Sequence, residues 1–233
     1  MTPMFHGVRR GDAMLARDVG EEPFRVEVTA RQWWRAVRYS DVEGTPLFDD
    51  NEILVPAGRP IEIVLEAEDV IHSCWVPCLG GKLDAIAGKT NVLRLEADQP
   101  GIYRGMCAEF CGAKHARMGF HLVAMAEDDL QQALRERVVT VPEGGADGAR
   151  AFERHCASCH SIDGRAQTPQ AGPNLAAVRL RRHLVAGWLR NDPGELRRWL
   201  EEHQTIKPGN HMGNLSHVED AELDAIAEWL EGR

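Results

Sequence analysis

The sequence predicts a two-domain protein, an all-β domain followed by an all-α domain. Three observations carry this: short runs of β character between residues 24 and 126, helical periodicity from 147 onward, and a Gly- and Pro-rich stretch between them. The β runs are FRVEVTA, EILVP, PIEIVLEAE, VLRLEA, GIYRGMC and FHLVAMA. They are separated by Gly and Pro turns, a spacing that favours a sandwich or a barrel. The connecting stretch DDLQQALRERVVTVPEGGADG begins as a short helix and ends as a linker. About ten flexible residues there would span on the order of 17 Å, holding the second domain near the first without fixing it. The boundaries are then a polar segment at 1–21, a β domain at 22–128, a linker at 129–146 and a helical domain at 147–233.

Composition narrows the function classes. The chain has 233 residues, 43% of them hydrophobic, and a net charge of −9, which argues against nucleic acid as a partner. Residues 22–128 hold 17 Asp or Glu against 11 Lys or Arg, and residues 147–233 hold 13 against 11. Most of that surplus reads as solvated surface; the sharper reading is an acidic docking face for a basic partner. No apolar run approaches the roughly 18 residues of a membrane helix, and no signal peptide opens the chain. The opening MTPMFHGVRRGDAMLARDVGEEP is polar and expected to be poorly ordered.

Four of the six cysteines fall in two motifs. The first is CAEFCGAKHARM at 107–118, which sets Cys107, Cys111, His115 and Met118 at close spacing. Structural zinc sites combine Cys and His and do not use a thioether. Soft thiolates, imidazole and thioether suit copper, where one Cys, two His and a weak Met describe a mononuclear electron-transfer centre. A second Cys suggests a second copper. The further imidazole can come from His72, at the end of an apolar strand in DVIHSCWVPCLGGKLDAIAGKT.

The second motif is CASCH at 156–160, the pattern of c-type haem attachment, with Cys156 and Cys159 forming thioethers and His160 binding iron. A redox Cys-x-x-Cys is the alternative, but its surroundings are helical and lack a βαβ pattern.

With these residues and the WVP…LGGK frame, the chain resembles subunit II of the haem-copper oxidases fused to a C-terminal cytochrome c domain. The resemblance implies a cupredoxin-like Greek-key barrel followed by a class I cytochrome c. It assigns a binuclear copper A site to Cys107, Cys111, His72, His115, Met118 and the carbonyl of Glu109. It also implies a magnesium ion at the boundary with subunit I, reached by the Glu109 side chain. DGARAFERHCASCH is similar to the first helix of a small cytochrome c, and GPNL and the loop before the closing helix follow in order. The resemblance makes Met212 the second axial iron ligand, with His211 the rival; Gly213 departs from the Pro that often follows that Met.

Other positions keep two readings. Trp33, in RQWWRAVRYS, is either a core or edge-strand aromatic or, by the resemblance, the residue through which electrons reach copper A. Arg35 stands where the family often has an aromatic, implying an altered surface. Cys74 reads as a small buried hydrophobe, and Cys74 and Cys78 as free thiols, since a disulfide needs Cα atoms within about 7 Å. His6, His121, His155, His183, His203 and His217 read as surface or packing residues.

The resemblance therefore implies an electron-transfer subunit with no catalytic residue of its own. Electrons would pass from cytochrome c or a similar donor through haem c and copper A to subunit I, which reduces oxygen. The implied place is the outer, periplasmic face of the bacterial cytoplasmic membrane, reached through the oxidase complex or a missing N-terminal hairpin. The alternatives are a freestanding copper A and haem c carrier or copper-delivery protein, and, ranked below it, part of a nitrous oxide reductase.

Overall fold

The computed structural model describes residues 22–138, 145–166 and 172–232. The expectations for the polar segment 1–21 and for the linker residues 139–144 lie outside the described residues. In strand β1 (Phe24–Arg31), Val26, Val28 and Ala30 are buried while their neighbours are partly exposed, the period of two of a strand with one face on a core. One sheet runs β3 (Thr45–Asp50), β2 (Trp34–Val42), β1, β5 (Pro60–Ala67), β8 (Asn91–Glu96). The other runs β4 (Glu52–Pro56), β10 (Gly119–Met125), β9 (Gly101–Met106). Each contains one parallel pair, β1 with β5 and β4 with β10. Val26, Ile63 and Leu65 from the first sheet share one core with Leu54, Phe120 and Leu122 from the second. This is the cupredoxin-like β domain expected.

A small pair, β6 (His72–Cys74) with β7 (Leu83–Ala85), lies across the end of this domain. Trp75 and Met106 exchange backbone hydrogen bonds of 3.0 and 3.3 Å, and Cys107 N–H donates to the Met118 carbonyl at 3.1 Å. Those bonds set the end of β6 beside the loop joining β9 to β10.

The segment after β10 begins with the short helix expected there. Residues Glu127–Val138 form a helix whose first turn carries Glu127, Asp128 and Asp129, the charge a helix N-terminus favours. Leu130 and Leu134, one turn apart, are buried in the core of the β domain. The start of the span 129–146 is thus packed onto the first domain.

The second domain is built on three helices, Ala146–His155, Glu195–Ile206 and Asp220–Glu231. The first and last approach closely at Gly148, where a Cβ would come within 2.3 Å of the Ala225 carbonyl oxygen. Phe152 and Trp229 fill the space beside it, with ring centroids 5.4 Å apart. One feature departs from an all-α domain: a hairpin pairs His183–Leu184 with Leu189–Arg190. Its turn puts Val185 and Ala186 in the left-handed region, at φ 56° and 57°, residue types that give no turn signal in the sequence.

The two domains are docked, where the linker composition predicted tethering without fixing. Phe48 N–H on the edge strand β3 donates to the Gly164 carbonyl at 2.8 Å, and Arg165 donates to the carbonyls of Val42 and Thr45. His121 on β10 stacks on His183 of the hairpin, with centroids 4.1 Å apart, so these two histidines pack across the domain junction. Asp49, Asp50 and Glu52 are buried in a cluster with Arg137, Arg181 and Arg182. Part of the acidic surplus of the β domain is therefore internal, meeting arginines that the rest of the chain brings to it.

Candidate metal centres

The loop between β9 and β10 gathers the first site. Cys107 Sγ lies 3.8 Å from Cys111 Sγ, and Cys111 Sγ lies 3.6 Å from His115 Nδ1 and 3.7 Å from Met118 Sδ. The Glu109 carbonyl oxygen is 3.2 Å from Cys107 Sγ. A short 3₁₀ turn at His115–Arg117 brings the imidazole and thioether back over the thiols. His72, more than thirty residues earlier and fully buried, completes the group: its nearest ring nitrogen and the two sulfurs lie within 4.8 Å of one another.

The donors fit a soft metal pair. His72 Nε2 is hydrogen-bonded to Asp69 Oδ1 at 2.7 Å, whereas His72 Nδ1 is buried without a hydrogen-bond partner. That carboxylate fixes the tautomer with the other nitrogen free, as a metal-bound histidine requires. The hydrogen bond with Cys111 draws the Cys107 thiol well below its ordinary range and pushes Cys111 up, so the pair readily gives one thiolate. Met118 is 1% exposed, which places its thioether inside the cluster. Two sulfurs, two imidazoles, a thioether and a carbonyl suit copper and not structural zinc.

The Glu109 side chain, for which the resemblance implied magnesium at the boundary with subunit I, is partly exposed. Its Oε2 faces Lys82 Nζ at 3.4 Å, and the only cluster of three or more metal-capable His, Cys, Asp or Glu groups among the described residues is His72, Cys107 and Cys111.

Arg35 is the main residue of this site that sequence reasoning misplaced. Expected to alter a surface, it is 1% exposed beneath the cluster. Its guanidinium donates to the Ser73 carbonyl at 2.9 Å and the Met118 carbonyl at 3.2 Å, tying β6 to the loop. Burial lowers its pKa, while the thiols of Cys74, Cys107 and Cys111 oppose that shift. Asp69 was also missed, although its place three residues before His72 was a usable signal. Cys74 is buried in the core and Cys78 exposed, both free thiols.

The second site is a cavity of about 350 Å³ in the helical domain, lined by Cys156, Cys159, His160 and Met212. His160 Nδ1 is bound to the Pro173 carbonyl at 2.7 Å, which leaves Nε2 as the free nitrogen. Gly172 permits this placement, since a Cβ there would meet the His160 ring at 2.4 Å. A tautomer-fixed imidazole, a thioether and two unpaired thiols on one largely apolar cavity fit haem c. His211 also lines this cavity, but its ring lies 4.8 Å from that of Trp33.

Trp33 lies between the two sites. It is 7% exposed, donates from Nε1 to the Cys111 carbonyl at 2.9 Å, and lines the haem-domain cavity. Its own carbonyl accepts from Lys207 Nζ at 2.8 Å. Burial, with Arg117 and Arg35 adding to it, pulls the Lys207 ammonium down to about 7.

A β domain carrying that sulfur and imidazole cluster, docked on a helical domain with Cys-x-x-Cys-His at a cavity, defines a two-domain protein with a candidate metal centre in each domain. Residues 40–125 match the family of the cytochrome c oxidase subunit II periplasmic domain, and residues 145–233 match cytochrome c. The chain is 34% identical over 218 residues to cytochrome c oxidase subunit 2 of Alkalihalophilus pseudofirmus, covering 91% of this chain and 62% of that protein. It is 32% identical over 227 residues to the Bacillus subtilis protein of the same name, covering 91% and 63%. The chain thus spans less than two thirds of the length of these relatives. The solved periplasmic domain of subunit II of cytochrome oxidase from Bradyrhizobium japonicum is 25% identical, with 50% of this chain and 96% of that one covered at a TM-score of 0.46. The chain therefore carries a domain of the cytochrome c oxidase subunit II periplasmic family followed by a cytochrome c domain. The matched domain is an extracytoplasmic one, and among the described residues no helix is long and apolar enough to cross a membrane.

Proposed function

We propose that this chain receives electrons from a cytochrome c or similar donor at the helical domain and delivers them from the β domain to subunit I of a haem-copper oxidase. The place is the outer face of the bacterial membrane. His72, Cys107, Cys111, His115, Met118 and the Glu109 carbonyl would hold binuclear copper A. Cys156 and Cys159 would bind haem c covalently, with His160 and Met212 on its iron. Bound there, the two groups supply one-electron centres with no open coordination position, the property of a carrier and not of an oxygen-reducing site.

The chain's own residues do the rest. The Asp69 carboxylate and the Pro173 carbonyl orient His72 and His160, and Arg35 braces the loop against β6. The observation that carries the reading is the position of Trp33, hydrogen-bonded to the Cys111 backbone and lining the cavity of the second domain. Docking of the domains replaces a diffusional encounter with an intramolecular one.

The test is oxygen uptake with reduced cytochrome c as donor. The metal-loaded chain alone should be reduced rapidly and consume no oxygen catalytically, whereas with a matching subunit I it should support turnover. Cys107→Ser should stop that turnover while the haem is still reduced. Steady oxygen reduction by the isolated chain, or turnover surviving Cys107→Ser, would overturn the reading.

A further inference from the structure

Trp33 is held from two sides by residues that the metal sites themselves do not need. On the copper side, its indole N–H and the Gln32 side-chain amide both donate to the Cys111 carbonyl, at 2.9 and 2.8 Å. On the other side, the His211 ring lies against it with centroids 4.8 Å apart and planes tilted by 48°. His211 directly precedes Met212, so this contact reaches the backbone of the residue facing the second cavity.

Lys207 fixes the same indole through the main chain. It is 5% exposed, and its ammonium donates to the Trp33 carbonyl. Burying an ammonium is costly unless it is well bonded, so its place on this one carbonyl needs a reason beyond surface chemistry. Asn210 stiffens the segment between Lys207 and Met212. Its amide donates to the carbonyls of His203 and Lys207, at 3.0 and 2.9 Å, and its Oδ1 accepts from Met212 N–H at 2.9 Å. Lys207, His211 and Met212 therefore sit on one braced loop, and both of the first two touch Trp33.

We propose that Lys207 and His211 clamp Trp33 as the junction between the haem and copper sites, with His211 a positioning residue for electron transfer and not an iron ligand. This rests on the electron-transfer reading above. The clamp keeps the indole at a set distance from both centres while the domains remain docked. It also covers Trp33, so a diffusing donor reaches the helical domain and not the indole.

The experiment uses the full chain loaded with both metals. The haem-to-copper rate is read after photoreduction, the haem potential and copper spectrum are recorded, and Trp33 exposure is read by hydroxyl-radical footprinting. His211→Ala should slow the transfer about tenfold, since small displacements at a set contact cost large factors in rate. His211→Phe restores a planar ring and should stay within about twofold of the parent for the same reason. Lys207→Met should raise Trp33 oxidation severalfold and slow the transfer, with potential and copper spectrum unchanged. A parent rate in His211→Ala, a His211→Phe variant as slow as His211→Ala, or unchanged Trp33 oxidation in Lys207→Met overturns the clamp. A haem in His211→Ala that binds added imidazole where the parent does not would instead show His211 on the iron, refuting the ligand assignment beneath the proposal.

Discussion

Asp49 on strand β3 and Arg181 in the helical domain, 132 residues apart in the chain, form an ion pair at 2.7 Å with side chains 0% and 5% exposed. Arg137, from the helix that follows the β domain, binds the same carboxylate from the other side. Burial alone would raise the Asp49 pKa, but the two guanidiniums hold it below its ordinary value. The buried pair makes docking specific, because the helical domain alone would leave the Arg181 guanidinium without its carboxylates.

Arg181→Met should therefore cost about 3 kcal/mol of stability and let the domains separate, seen in denaturant unfolding and as a larger radius of gyration. Because the Asp49 pKa is depressed in the folded state, its contribution is present above the ordinary Asp value of about 4 and is lost as pH falls through the lower folded value. Asp50 acts with the opposite sign. Burial raises its pKa well above the usual range, so its contribution is present at low pH and declines as pH rises through that raised value. Arg181→Met should flatten the acid limb of the stability curve. An unchanged acid limb would count against Asp49 as its origin.

Arg35 supports the copper loop from below, and its loss should be felt there first. Arg35→Leu removes the guanidinium donor from the Ser73 carbonyl and leaves the Met118 carbonyl with the Cys107 N–H alone, a cost of about 1–3 kcal/mol where a buried group loses its partner. The expected outcome is weaker copper retention in a chelator challenge with the haem domain spectrum intact. Equal copper retention would show that the loop is held by its backbone bonds alone.

The thiols should divide sharply. Cys107→Ser or Cys111→Ser should abolish the mixed-valence copper signal, since each supplies a sulfur to the cluster. Cys74→Ser should leave it, because burial pushes the Cys74 thiol up to about 11 and its packing in the core occupies the side chain. Electron paramagnetic resonance of copper-loaded variants reads this directly, and a lost signal in Cys74→Ser would bring that residue into the site.

If Met212 is the iron ligand proposed above, Met212→Ala should lower the haem potential and admit an added ligand to the iron, because an axial thioether raises the potential and would close that face. Spectroelectrochemistry with and without added imidazole checks it. An unchanged potential would leave Met212 a packing residue.

The sequence by itself determined the two motifs, the domain order and the alternation that builds β1 and β5, because each depends on residues close in the chain. Four of the copper-site side chains fall within twelve residues, so their chemistry was legible before any fold was known. His72 could be offered as a further imidazole at the end of an apolar strand, but its place beside Cys107 depends on the Trp75 and Met106 backbone bonds. Only the tertiary structure decided that Arg35 is internal, that Leu130 and Leu134 belong to the first core, and that His121 meets His183. It also decided that Lys207 and His211 reach Trp33. Those contacts join segments that are distant in sequence, and their partners are chosen by burial and charge pairing. Neither has a local period or spacing from which to read them.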